Sequence, residues 1–202
     1  MNKSSKILMG IAALLLLSLF ATPLWRITLE APQYPDGITM YIWVNKITGD
    51  TDYTLQNINI LNHYVGMKYI EPDSIPELTY FPYIIMGMTI IGLLFSFIGN
   101  RKLVLTWVLT MVVLGVLGIY DFYLWEYDYG HNLDPNAPIK VPGMAYQPPV
   151  FGSKMLLNFN AISYPYWGGL FLGISMVLAT ISFFISGKKK ENQSPQNLAL
   201  QV

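Results

Sequence analysis

The soft metal donors of this sequence are two histidines and ten methionines, because it contains no cysteine. Imidazole nitrogen and thioether sulfur both suit Cu(I). His63 and Met67 stand four residues apart with Asn59 one turn earlier, so on a helix the three side chains stack along one face. His131, Met144 and Met155 follow in a later stretch. These five residues, His63, Met67, His131, Met144 and Met155, are the candidate metal ligands, with transiently bound Cu(I) as the cargo. Thiolates hold Cu(I) more tightly, so a cysteine-free set suits delivery better than storage. The competing reading is a solvated or partner-facing helix whose histidine and methionine share a face and bind nothing. The absence of cysteine also removes lipoprotein anchoring, disulfides and C-x-x-C-H haem attachment.

No nucleophile elbow, zinc-protease spacing or phosphate-binding glycine loop is present, so no enzyme is expected and no catalytic residue is assigned. Aromatic residues around Asp121 or Glu126 can in principle frame a quinol pocket, but nothing in the chain would accept the electrons.

These donors must be positioned by a chain that is 53% hydrophobic and 12% charged. Four uncharged stretches are long enough to cross a bilayer core, which takes roughly 20 helical residues: 7–25, 80–98, 103–120 and 166–186. The first follows Lys3 and Lys6 and has two readings, a secretory signal or an uncleaved anchor. Its length, and the lack of an A-x-A-like site near Ala21, favour the anchor. None of the four spans holds an ionisable residue, which argues against a pump, a proton-coupled transporter or a membrane cytochrome. Gly169 and Gly173 have the small-residue spacing that lets helices approach closely. Met86, Met88, Met111 and Met176 are read as gap fillers in apolar packing.

Lys3 and Lys6, then Arg101 and Lys102, then Lys188, Lys189 and Lys190 flank alternate span ends, which puts all three groups in the cytoplasm. Every acidic residue except Glu191 falls on the other side. The expectation is an integral membrane, mainly α protein, N-in and C-in. A small mixed α/β extracytoplasmic domain is built from the two inter-span segments, 26–79 and 121–165. A cytoplasmic turn at 99–102 and a disordered tail at 187–202 leave little room for a site inside.

In the first outer segment, the β-branched and aromatic run 38–44 predicts a strand, with 27–30 as its partner. The three- and four-residue recurrence of Leu55, Ile58, Leu61 and Val65 predicts a helix over 54–69, capped by Thr51 or Asp52. In the second, the aromatic and acidic stretch 121–129 suits the membrane interface. The proline-rich run 130–149 reads as a packed loop. The helix bearing His63 and Met67 should meet the loop running from His131 to Met155.

Two stretches carry a likeness. One is Ala31-Pro32-Gln33-Tyr34-Pro35, leading to Asn57-Ile58-Asn59-Ile60-Leu61-Asn62-His63-Tyr64-Val65-Gly66-Met67-Lys68; the other runs from Trp125-Glu126-Tyr127-Asp128-Tyr129-Gly130-His131 to Val141-Pro142-Gly143-Met144. They resemble the small multispan membrane proteins encoded in clade II nitrous oxide reductase gene clusters, beside a copper chaperone lipoprotein. The likeness covers roughly residues 25–169. It implies an accessory role in maturing or supplying copper to a periplasmic copper enzyme, at the bacterial inner membrane. No activity and no site residues come with it. The partners implied are membrane lipids, a copper chaperone lipoprotein, nitrous oxide reductase or a cytochrome, and no nucleic acid. The alternative is a metal-free membrane platform that docks an electron donor or the reductase itself, drawing a basic partner to the acidic, Tyr/Trp-rich outer surface.

Overall fold

The computed structural model describes residues 1–187, so the tail expected to be disordered lies, apart from Gly187, outside the described residues. In chain order the elements are α1 (Lys3–Leu15), which tightens into a 3-10 stretch over Leu16–Phe20, then strands β1 (Trp25–Ala31), β2 (Tyr34–Ile42) and β3 (Ile47–Gly49). Helices α2 (Thr54–Val65), α3 (Glu77–Ile98) and α4 (Arg101–His131) follow, and strands β4 (Gly152–Leu156) and β5 (Phe159–Pro165) lead into α5 (Trp167–Ser186). Helix α1 with its 3-10 extension, α3, α4 and α5 are long and apolar enough to cross a membrane.

Two boundaries differ from the expected ones. The first helix stops at Phe20, and Trp25 belongs to a strand rather than to a span. Helix α4 does not end at Tyr120, because Asp121 carries a charge but no helix-breaking geometry, and the chain stays helical to His131. At 31 residues it is about 46 Å long, against a hydrocarbon core of about 30 Å. The 20 residue steps from Arg101 to Asp121 already match that thickness, so the turns from Asp121 onward exceed the length a crossing needs.

Helix α1 lies at the centre of the bundle, with Met9, Ala12, Ala13 and Leu16 wholly buried. Small polar residues make its seam with α5. Ser5 Oγ donates to Ser182 O at 2.6 Å, Ser182 Oγ donates back to Ser5 O at 2.7 Å, and Ser175 Oγ donates to Ala12 O at 2.7 Å. Ser96 Oγ of α3 donates to Lys6 O at 2.6 Å, and Gly92 sits where any side chain would strike Ala13 and Trp107. Trp107 Nε1 donates to Met88 O at 2.9 Å and ties α4 to α3. The expected Gly169/Gly173 pair does not act as one contact. Gly169 presses on Leu24 O, whereas Gly173 faces open space.

The five strands form one antiparallel sheet in the order β3-β2-β1-β5-β4. The expected pairing of 27–30 with the following strand is present, from Trp25↔Ile42 to Leu29↔Ile38. Strands β4 and β5 are additional, and β5 pairs with the other edge of β1, as in Thr28↔Ile162. Alternate residues Ile27, Leu29 and Ala31 of β1 are buried, so one sheet face is covered. What covers it is α2 through Ile58 and the far end of α4 through Tyr129, joined by Ile70 from the segment after α2, against Ile27, Leu29 and Leu156 of the sheet.

The α1/α5 seam has no spare volume, because Ser5, Ser175, Ser182 and Ala179 are all fully buried. Ser182→Val, which loses the bond from Ser182 Oγ to Ser5 O and adds bulk, is expected to destabilise the protein by about 1–3 kcal/mol. Thermal unfolding in detergent, with Val177→Ala on the exposed face as control, is the measurement.

Candidate functional site

Helix α2 begins without the expected side-chain cap from Thr51 or Asp52. Tyr53 occupies the cap position and makes no cap bond, while the Thr54 hydroxyl in the first turn hydrogen-bonds Asp50. The helix ends four residues earlier than its periodicity suggests, because Gly66 turns left-handed at φ +82°. A Cβ at Gly66 would also strike Ala137 at 2.9 Å. Met67 therefore leaves the helical face of Asn59 and His63 and packs against the core under the sheet. His63 stays exposed, its ring stacked on Tyr69 with centroids 6.2 Å apart and planes 11° from parallel.

His131 occupies the last turn of α4, where its ring stacks on Tyr127 at 3.9 Å. Its Nδ1 lies 3.0 Å from Tyr127 O. A carbonyl oxygen can only accept, so Nδ1 carries a proton, and in the neutral form of the ring Nε2 is the nitrogen with the lone pair. That is the tautomer a metal-binding imidazole needs.

The end of α2 meets the loop that follows His131, as expected, although His131 itself is the last residue of α4 rather than part of that loop. Asp134 N donates to Gly66 O at 2.8 Å, Ile139 N donates to Tyr64 O at 2.9 Å, and Tyr129 Oη donates to Tyr69 O at 3.0 Å. Lys68 pairs with Asp128 at 2.6 Å across the same junction. Hydrogen bonds from Lys68 and Asn132 hold the Asp128 carboxyl below its usual range.

The five candidate ligands do not converge. Met155 is 65% exposed on β4, while its neighbour Leu156 points into the cavity that Met67 lines, so the two methionines lie on opposite faces of the sheet. Met144 is half-buried in the loop after α4. Among the described residues, no group of three or more His, Asp or Glu is placed to hold a metal ion. What remains of the set is the pair of exposed imidazoles on adjoining helix ends.

A second feature was hidden in the sequence. Glu126, read there as one acid of an interfacial belt, is fully buried beneath the sheet, and neither carboxyl oxygen has a hydrogen-bond partner. It lines a cavity of about 40 Å³ with Asn62, Met67, Trp125, Tyr129 and Tyr146, whose hydroxyl also lacks a partner. Burial pushes the Glu126 carboxyl up to about 8, so at neutral pH it is mainly protonated and able to donate. The signal was present in the helical period, since Phe122, Trp125 and Tyr129 form the face of α4 that meets the core.

Between the ordinary value of 4.5 and about 8, the folded protein keeps a proton that the unfolded chain has released. Stability therefore falls as pH rises through that window and is level on either side of it with respect to this group. Glu126→Gln is expected to match the parent near pH 4 and exceed it in Tm at pH 9, followed by tryptophan fluorescence. Parallel profiles for the two proteins would contradict the assignment. No family model matches this chain, and neither the curated proteins nor the solved structures include a match to it.

Proposed function

We propose that the chain is a membrane accessory protein for maturation or copper supply of a periplasmic copper enzyme, nitrous oxide reductase in the gene clusters it resembles. Lys3, Lys6, Arg101 and Lys102 lie at the bundle end opposite the sheet. The positive-inside tendency then faces the sheet domain toward the periplasm from the bacterial inner membrane. Cu(I) is its cargo, held transiently by the exposed imidazoles of His63 and His131. The observation that carries this reading is the His131 ring, pinned through Nδ1 to Tyr127 O and stacked on the Tyr127 ring, which leaves Nε2 free at the surface. Two nitrogen donors and no thiolate give a weak site, as a protein that passes its metal onward requires.

The metal-free platform is favoured by a different observation. Met67 is taken up by the core, Met155 points away across the sheet, and Tyr64 and Tyr69 lie exposed beside His63. An aromatic shelf of this kind supplies contact area for a docked protein whether or not metal is present.

Titration of the purified protein with Cu(I) against a competing chelator separates the two. Simultaneous His63→Ala and His131→Ala is expected to weaken binding at least about tenfold, roughly 1.4 kcal/mol, while Met155→Ala leaves it unchanged. Binding unaffected by the double substitution removes the copper version. Salt-sensitive capture of the reductase or a cytochrome from native membranes would then support the platform.

A further inference from the structure

Helices α3 and α4 touch where Trp107 meets Met88 and diverge toward the sheet. The wedge between them is a crevice of about 590 Å³, within the range of small-molecule sites at roughly 300–1,000 Å³. Leu19, Gly169 and Leu172 close its back, and Leu24, Ile42 and Val44 roof it. On α4 its wall is cut away at Gly115 and Gly118, where an added side-chain carbon would meet nothing within 4 Å.

The lining contains two ionisable residues, Glu77 in the first turn of α3 and Asp121 on α4, and no Lys, Arg or His. Both are half-buried, and neither belongs to an ion pair among the described residues. Asp121 stands 20 residues beyond Arg101, about 30 Å along α4, which is the level of a membrane interface. Trp25, Trp43, Phe81, Phe122 and Trp125 ring the same end. Lys46 lies over Trp43 with Nζ 4.5 Å from the ring centre.

We propose that this crevice binds one membrane lipid with an ethanolamine headgroup, its acyl chain between α3 and α4 and its ammonium at Glu77 and Asp121. The apolar depth accepts the chain. Among the described residues Glu77 accepts only from Tyr80 Oη at 3.1 Å and neither carboxyl faces a cation, so the two carboxyls and the aromatic ring accept an ammonium. Lys46 is within reach of the phosphate, and a primary ammonium can donate hydrogen bonds to both carboxylates, as a trimethylated one cannot. A net-anionic headgroup would meet two like charges and is selected against.

The full chain reconstituted in nanodiscs of equal phosphatidylethanolamine, phosphatidylglycerol and phosphatidylcholine, then released for native mass spectrometry, tests this. One phosphatidylethanolamine per chain is expected, at least about tenfold over each competitor. Gly115→Leu fills the crevice from a position with free space and should abolish retention without lowering Tm. Glu77→Gln with Asp121→Asn keeps the crevice and should reduce the preference over phosphatidylglycerol to less than about twofold, with a lipid still bound. Equal retention of the three lipids, unchanged retention in Gly115→Leu, unchanged preference in the double variant, or a bound isoprenoid in place of the lipid would each overturn the proposal.

Discussion

Strand β1 hydrogen-bonds on both edges, to β2 from its own segment and to β5 from a segment more than a hundred residues later. Strand β1 also continues from α1, and β5 runs directly into α5, the helix that makes the serine seam with α1. One antiparallel pair therefore extends from helix against helix to strand against strand. The change of structure is bridged by Tyr166 N to Leu24 O at 2.9 Å and Gly168 N to Pro23 O at 2.8 Å. Gly168 is required there, because a Cβ would lie 2.6 Å from Pro23 O. The sheet keeps its orientation on the bundle through this ladder, and the cavity around Glu126 and the crevice between α3 and α4 both follow from it.

The helices of the bundle were legible because a long uncharged run leaves few other structures that satisfy the backbone. Their ends were not, since charge marks where water begins rather than where a helix stops. Asp121 to His131 shows this, for the helix runs on through an acidic, aromatic stretch until Asn132 and the turn at Asp134-Pro135. The β1/β2 hairpin was visible in its β-branched and aromatic residues. Strands β4 and β5 carry Gly152, Ser153, Lys154, Asn160 and Ser163, which show no clear alternation when read alone. They become strands because β1 offers an unpaired edge, a non-local fact that no short window contains.

The candidate metal ligands divide along the same line. The i, i+4 rule placed His63 correctly on an exposed helix face, but Met67 fails it because Gly66 ends the helix between them. Glu126 fails in the opposite direction. Its neighbours Tyr127 and Asp128 are surface groups, and only the three- and four-residue spacing to Phe122 and Tyr129 reveals that it turns inward. An unpartnered carboxyl beside an unpartnered phenol is an unusual thing to keep in a small core, since each costs stability that an apolar residue would not. Among the described residues, these are the only buried side-chain polar atoms with no hydrogen-bond partner, and both groups line the same cavity.

The β1–β5 pairing also dictates an order of events during synthesis. Trp25 Nε1 donates to Ser163 Oγ across 138 residues of sequence, so the central strand leaves the ribosome long before its second neighbour exists. Until β5 emerges, β1 and β2 must wait as a hairpin with an open edge, while α3 and α4 are already made. Contacts this distant slow folding and prolong the life of an incomplete sheet. The last helix thus closes the fold at both levels at once, sealing the serine seam and delivering the strand that completes the sheet. A chain truncated before β5 would retain three bundle helices and a hairpin edge open to the nearest unpaired strand, including that of another unfinished copy.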